Sequence, residues 1–246
     1  METVSRRELL RAIAALGLPY SVSASSRQSL PQFEVVGDGP TLIAFNRAPK
    51  GYFSQLTKNY RVVVIDYPPP NPSPAFINGF TADRVCSDIL AVADAVGAER
   101  FAWFGFSWGA VVGLQLASRT RRLTALALGA WPPLGGQYRE TLAFTESEAK
   151  GQPALYLTFY RSIRNWPERD AVAKITCPRL VFVGDKDAFV AGGYQIRIGG
   201  LITEHREELE GLGWKVRIVP GFGHELGARP EVVTPIVAEF LGSVLV

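Results

Sequence analysis

The stretch Phe101-Ala102-Trp103-Phe104-Gly105-Phe106-Ser107-Trp108-Gly109 decides the fold. Its first six residues form an apolar run, as in a strand that is buried on both faces of a sheet. The residues that follow, 108–118, have the apolar spacing of a helix. The sequence therefore predicts that Ser107 occupies a tight turn between a buried strand and a helix.

Gly-x-Ser-x-Gly at such a turn is the pattern of a nucleophile elbow. We expect side chains at Gly105 and Gly109 to collide with neighbouring backbone, and glycine avoids that collision. Ser107 would then project from a strained backbone at a helix N-terminus, where amide donors and the helix dipole favour a developing negative charge. The context of strand, turn and helix predicts that Ser107 is a nucleophile.

Around this segment, short apolar runs alternate with longer stretches of helical periodicity, which is typical of parallel βαβ units. The run Val62-Val63-Val64-Ile65 predicts a strand covered on both faces. Pro235 falls inside the last predicted helix and predicts a kink or a later start. Strands are predicted at 32–36, 41–45, 61–66, 101–106, 123–129, 180–183 and 214–219, and helices at 81–96, 108–118, 204–212 and 230–245.

These elements predict the α/β class, with a mostly parallel, doubly wound sheet and helices on both faces. Residues 131–170 are rich in aromatic side chains and lack a convincing strand, so they are predicted to form a short inserted lid. Residues 25–246 are expected to form one domain, a common arrangement for α/β chains of this length.

A serine nucleophile needs a base, and the chain has two histidines, His205 and His224. His205 lies in a highly charged helical stretch, where a solvated surface position is expected. His224 lies in the glycine-bracketed loop after the strand at 214–219. We therefore predict that His224 is the general base.

The acid that orients the base is expected at the end of an earlier strand. The run Val181-Phe182-Val183-Gly184-Asp185-Lys186-Asp187 supplies two carboxylates after an apolar strand. Asp187 is the preferred acid and Asp185 the alternative. The order serine, acid, histidine along the chain is the one expected for an α/β sheet of this kind.

From about residue 32 to residue 245, the chain resembles the α/β-hydrolase superfamily. Gly184 to Asp187 is similar to the acid motif G-x-x-D of that superfamily, and Gly223-His224 to its G-H motif. The resemblance implies an oxyanion hole formed by the backbone amide of Trp108 and, by position, that of Ala48, with Arg47 as the alternative second donor. Many members carry His-Gly after the strand at 41–45, whereas this chain has Asn46-Arg47-Ala48-Pro49.

The expected activity is hydrolysis of a carboxylic ester of a small apolar or aromatic substrate, without a metal or an organic cofactor. Phe106 and Trp131 are the candidate substrate contacts, although lid aromatics also commonly pack onto the core. Thioesterase, lactonase, carbon-carbon bond hydrolase and perhydrolase activities would use the same triad. A small-ligand-binding protein on the same fold is the non-enzymatic alternative, suggested by the altered loop at 46–49.

The composition argues against disordered, nucleic-acid-binding and membrane-spanning classes of protein. Hydrophobic residues make up 47% of the chain and charged residues 20%, as in an ordinary globular protein, and the formal net charge is +3. Basic residues are dispersed, so a nucleic acid is a poor candidate partner. No apolar run is long enough to span a bilayer, and the oligomeric state stays open.

The N-terminal residues 1–24 allow two interpretations. Arg6-Arg7 followed by a mildly apolar stretch resembles a twin-arginine export signal, which would be removed from the mature protein. The same residues also have the spacing of an amphipathic N-terminal helix. The location is accordingly predicted as either cytoplasmic or exported.

Overall fold

The computed structural model describes residues 30–45 and 51–245. Within these residues, seven strands form one sheet in which all neighbouring pairs are parallel except the antiparallel pair at one edge. The strand order is β1-β3-β2-β4-β5-β6-β9. These strands are β1 (Phe33–Val36), β2 (Thr41–Phe45), β3 (Arg61–Ile65), β4 (Phe101–Phe106), β5 (Leu123–Gly129), β6 (Arg179–Gly184) and β9 (Trp214–Val219).

The predicted fold class is confirmed: the sheet is mostly parallel and helices cover both of its faces. Alternate residues of the central strands enter two separate cores. On β2, for example, Ile43 and Phe45 pack into one core, whereas Leu42 and Ala44 pack into the other. Double burial explains why these strands are apolar at consecutive positions.

Nine helices surround the sheet in the described ranges. The first core is covered by α2, α3 and the helices that follow β5, and the second by α9. They are α1 (Pro74–Asn78), α2 (Ala82–Ala95), α3 (Trp108–Ala117), α4 (Tyr138–Ala149), α5 (Leu155–Ser162), α6 (Glu168–Ala173), α7 (Ile198–Glu204), α8 (Arg206–Gly211) and α9 (Pro230–Gly242).

Helices α4, α5 and α6 lie between β5 and β6, where the sequence predicts a lid at 131–170. We call residues 138–173 the helical insertion. Its inner side chains are buried in the first core; the ring of Phe159, for example, packs against Phe80 and Trp108. The predicted leader or N-terminal helix, residues 1–24, lies outside the described residues.

The structure differs from the sequence prediction in several elements, among them the helix α1, which was not predicted. A hairpin, β7 (Phe189–Ala191) and β8 (Tyr194–Ile196), was not predicted, because each of its strands has only three residues. The predicted helix at 204–212 is two helices that meet at His205, whose ψ of 11° interrupts the helical path. Helix α9 begins at Pro230 and continues through Pro235, so the alternative of a later start is wrong.

Pro235 is tolerated because it lies on the exposed side of α9. Water can reach the carbonyl that lacks a donor there. None of the helices in the part of the chain that the structure describes is long and apolar enough to cross a membrane.

Candidate active site

Ser107 occupies the turn between β4 and α3 and has a left-handed backbone conformation, with φ 54° and ψ −119°. Its amide donates a hydrogen bond of 2.8 Å to the carbonyl of Gly129, at the end of the neighbouring strand. Its carbonyl accepts hydrogen bonds from the amides of Ala110 and Val111 in α3. A non-glycine residue in such a conformation costs about 1–3 kcal/mol and persists only where its surroundings hold it. Here the hydrogen bonds to strand and helix supply that restraint.

The two glycines beside Ser107 have different roles. A Cβ atom on Gly105 would lie 2.0 Å from the carbonyl oxygen of Gly109, so the turn excludes a side chain at position 105. A Cβ atom on Gly109 would meet a ring carbon of Phe45 at 3.7 Å, which is an ordinary contact. The expectation that both positions require glycine is therefore wrong for Gly109, because its Cβ would face a side chain across a normal distance rather than backbone.

His224 lies next to Ser107. It begins a short 3-10 helix, His224–Ala228, and its Nε2 is 3.0 Å from Ser107 Oγ. The imidazole ring packs between the rings of Phe106 and Phe189, with 5.5 Å between ring centroids in each case. The imidazole thus has an aromatic neighbour from β4 and another from the β7–β8 hairpin.

Asp187 lies on the other side of the imidazole. Both carboxylate oxygens are 3.1 Å from His224 Nδ1, and the residue is only 1% exposed. With the proton on Nδ1, His224 donates to Asp187 and accepts the Ser107 hydroxyl proton through Nε2. Asp187, His224 and Ser107 thus lie within hydrogen-bond distance of one another in that order.

Asp185 has a different partner. Its Oδ1 accepts a hydrogen bond of 2.7 Å from the amide of Gly221, in the loop that leads to His224. Of the two acids proposed from the sequence, the structure brings Asp187 to the imidazole, while Asp185 connects the two loops.

The loop that carries Asp187 is attached directly to the loop that carries His224. The amide of Lys186 donates to the carbonyl of Phe222 at 2.9 Å. A Cβ atom on Gly184 would lie 2.1 Å from the same carbonyl oxygen, so only glycine allows this approach. Backbone contacts therefore set the distance between acid and base.

Of the predicted oxyanion donors, Trp108 is the first residue of α3 and Ala48 lies outside the described residues. First-turn amides point out of the N-terminal end of a helix. The position of Trp108 is thus compatible with its predicted role, and that of Ala48 stays a prediction.

A cavity of about 320 Å³ opens beside Ser107 and His224. Phe106, one of the two predicted substrate contacts, lines it. Trp131 is not among its lining residues: the indole is buried against Tyr138 and Tyr160, so its predicted substrate contact has no geometric support. The wall is completed by residues that the sequence did not suggest, namely Ala44, Phe45, Tyr52, Phe53, Phe104, Glu225, Gly227 and Ala228.

The cavity wall is neutral apart from its rim. Burial, with a smaller contribution from the carboxylate of Glu231, raises the pKa of Tyr52, so its phenol stays protonated at neutral pH. At the rim, a hydrogen bond from the amide of Gly223 lowers the pKa of the exposed Glu225, which keeps this carboxylate ionised.

The remaining histidine and the cysteines lie elsewhere. His205 is partly buried, with Nδ1 3.3 Å from the Glu208 carboxylate. Cys86 and Cys177 are unpaired, and burial raises the pKa of the Cys86 thiol to about 12. In the described ranges, no group of three or more histidine, cysteine or acidic side chains has the arrangement of a metal site.

Comparisons with known proteins agree with this fold. A family model described as the alpha/beta hydrolase fold matches residues 50–169. No curated protein matches the chain in sequence. The chain is similar to many solved structures, three of which illustrate the range.

One is MGS-MChE2, an alpha/beta hydrolase enzyme from the metagenome of lagoon sediments of Mar Chica, Morocco. Its sequence is 15% identical, the match covers 88% of this chain and 97% of MGS-MChE2, and the TM-score is 0.63. A carboxylesterase structure from the thaumarchaeon Nitrososphaera gargenis has 14% identity, coverages of 87% and 95%, and a TM-score of 0.64. Epoxide Hydrolase A from Mycobacterium thermoresistibile has 19% identity, coverages of 85% and 94%, and a TM-score of 0.63. The family model, which matches just under half of the chain, and the similar solved structures together show that the chain has the alpha/beta hydrolase fold.

Proposed function

We propose that this protein is a serine hydrolase that cleaves carboxylic esters of small apolar or aromatic substrates through an acyl-enzyme. One observation carries the proposal: Ser107 Oγ is 3.0 Å from His224 Nε2, and the buried Asp187 is 3.1 Å from the opposite ring nitrogen. These distances are those of hydrogen bonds, so a proton can pass from the hydroxyl to the imidazole.

In the proposed reaction, Ser107 Oγ attacks the ester carbonyl carbon while His224 Nε2 takes the hydroxyl proton. The negative charge forms on the carbonyl oxygen, beside the amide of Trp108 at the start of α3. His224 then gives the proton to the alcohol oxygen as the C–O bond breaks. Asp187 stabilises the imidazolium in both steps without accepting a proton itself.

Water completes the cycle. His224 removes a proton from a water molecule, whose oxygen attacks the acyl carbon, and returns that proton to Ser107 Oγ when the acid leaves. Every proton that His224 accepts is released in the same cycle. The reaction therefore requires only the ester and water.

Serine at the elbow favours a carbonyl substrate over an epoxide, although one similar structure is an epoxide hydrolase. Attack of a serine oxygen on an epoxide carbon would form an ether, which an activated water does not cleave under these conditions. Attack on an ester forms another ester, which water hydrolyses. A complete catalytic cycle on Ser107 thus needs an acyl group.

The test is hydrolysis of p-nitrophenyl acetate by the wild type and three variants. We expect Ser107→Ala to abolish enzyme-dependent turnover and Asp187→Asn to lower kcat by about 10³–10⁴-fold, since the amide stabilises the wrong imidazole tautomer. Asp185→Asn is the matched control and should lose less than about tenfold, because its carboxamide oxygen can still accept the Gly221 amide proton.

Equal losses in the two Asp variants, with folding intact, would show that the proposed acid is wrong. Full activity of Ser107→Ala would refute the serine mechanism altogether.

A further inference from the structure

The space between the elbow and the helical insertion is filled by side chains. The indole of Trp108 stacks on Phe45 and on Phe80, with ring centroids 5.3 and 5.6 Å apart. Its edges contact Tyr156 and Phe159 of the insertion. These rings leave the aromatic insertion packed against the first core of the sheet rather than lining the cavity at Ser107.

The cavity lies at the carboxyl ends of the strands, where Phe45 and Trp108 of the first core line it, and extends towards the other face of the sheet. Ala44 on β2 and Phe104 on β4 are partners in the strand register and both belong to the second core, the one that α9 covers. Phe53 lies over them, with its ring 6.2 Å from that of Phe104. Ser107 stands at one end of this cavity, which lies between residues 52–53 and the turn His224–Ala228.

We propose that this cavity is the acyl-binding subsite and that residues 52 and 53, rather than the helical insertion, determine which acyl groups the enzyme accepts. The inference rests on the proposed ester hydrolysis and adds to it the position and the class of the acyl group. The preferred class is a neutral acyl group of about benzoyl or hexanoyl size.

The acyl half of the ester fits the cavity better than the alcohol half, because the acyl group stays bound while the alcohol departs. The departing oxygen must lie close to His224 Nε2 to receive its proton. The His224 side chain is 37% exposed and contacts Phe189 of the β7–β8 hairpin, in which Val190 is 68% exposed. The alcohol therefore leaves on the solvent side of His224, and the acyl group stays in the cavity.

The volume of the cavity and the charge at its rim determine the class of acyl group that it accepts. In another protein a cavity of roughly 150 Å³ holds one benzene ring. The cavity of about 320 Å³ thus has room for a benzoyl group or a short alkyl chain, but not for a long one. Ionised Glu225 at the rim disfavours acyl groups that carry a carboxylate.

The experiment compares kcat/KM for p-nitrophenyl acetate, butyrate, hexanoate, octanoate, decanoate and benzoate, in which the alcohol is constant. For the wild type we expect the maximum at butyrate, hexanoate or benzoate and a fall of at least tenfold by decanoate. Phe53→Ala enlarges the cavity and should move the maximum to octanoate or decanoate. Phe144→Ala, the same change in α4 of the insertion, should leave the profile as in the wild type.

A second measurement does not depend on turnover. Thermal shift measures the binding of benzoate and of decanoate to Ser107→Ala. We expect this variant to bind benzoate more tightly than decanoate. The double variant with Phe53→Ala should bind decanoate more tightly. If the chain-length profile and the binding preference change in Phe144→Ala but not in Phe53→Ala, the inference is wrong, although the proposed ester hydrolysis is unaffected. Absence of ester hydrolysis in the folded wild type would overturn the proposed function, and the binding data would still decide whether the cavity takes acyl groups.

Discussion

At the scale of single residues, the conformation of Ser107 links the sequence to the proposed chemistry. A φ of 54° is unfavourable for serine, and the contacts that hold it run to β5 and α3 rather than to the site. The sequence predicts this turn, since its residues follow a known local pattern. The pattern did not reveal that only one of the two glycines is sterically required.

Gly105→Ala and Gly109→Ala form a matched pair at this scale. We expect Gly105→Ala to destabilise the fold by more than about 3 kcal/mol, because its methyl group would overlap the Gly109 carbonyl. Gly109→Ala should change the free energy of unfolding by less than about 1 kcal/mol, since alanine favours a helix and meets only a normal contact with Phe45. Urea unfolding measures both values, and similar losses in the two variants would contradict the steric explanation.

Trp131 is a residue whose contacts the sequence did not predict. Its place directly after β5 suggested a pocket residue, yet its indole donates a hydrogen bond to the hydroxyl of Tyr138 and lies within the core. Phe53 lines the cavity without any sequence pattern that marks it. Which aromatic ring faces a substrate depends on how distant segments pack, and local patterns do not contain that information.

At the scale of elements, loops and helix ends hold the parts of the site in place. The acid and base loops are joined by backbone hydrogen bonds, and the two ends of the helical insertion are joined by Glu168. Its carboxylate oxygens accept hydrogen bonds from the amides of Gly135 at 2.7 Å and Gly136 at 3.0 Å. Glu168 begins α6, and the two glycines precede α4, so one side chain connects the end of the insertion to its start.

This connection predicts a pH-dependent stability. Burial raises the pKa of Glu168 above its unfolded value, although the two amides oppose the shift. The folded state therefore holds this proton more tightly, and the stabilisation from its protonation is lost as the pH rises from about 4 through the raised pKa. The free energy of unfolding of the wild type, minus that of Glu168→Gln, should decrease over this range and then stay constant.

Urea titrations of the two proteins at pH values from 4 to 8 give this difference, because all other titrating groups are shared. A difference that grows as the pH rises would mean that the amide hydrogen bonds outweigh burial, and that the pKa of Glu168 is lowered.

Elements with strong periodicity were predictable. The strands β2, β4, β5 and β9 begin and end where the sequence predicts, since the first three are apolar runs and β9 alternates apolar with charged residues. The β7–β8 hairpin and the break at His205 were not predicted. Three-residue strands carry too little periodicity, and the charged residues around 205 resemble one continuous helix.

At the scale of the whole molecule, the parallel sheet gathers Ser107, Asp187 and His224 from three strand ends at one edge. The order of elements along the chain was sufficient to predict this gathering. It was not sufficient to place the cavity, which requires residues 52–53 to meet residues 224–228 across the sheet. The prediction took Trp131, which precedes the insertion, as a pocket residue, whereas no residue of the insertion lines the cavity.

The central claim is that Ser107 is an activated nucleophile, and intact mass after exposure to a fluorophosphonate tests it most directly. A single adduct on the wild type, absent from Ser107→Ala and formed much more slowly by His224→Ala, is the predicted result. Circular dichroism confirms folding of each sample. A folded wild type that forms no adduct, or an adduct that persists in Ser107→Ala, would contradict the account.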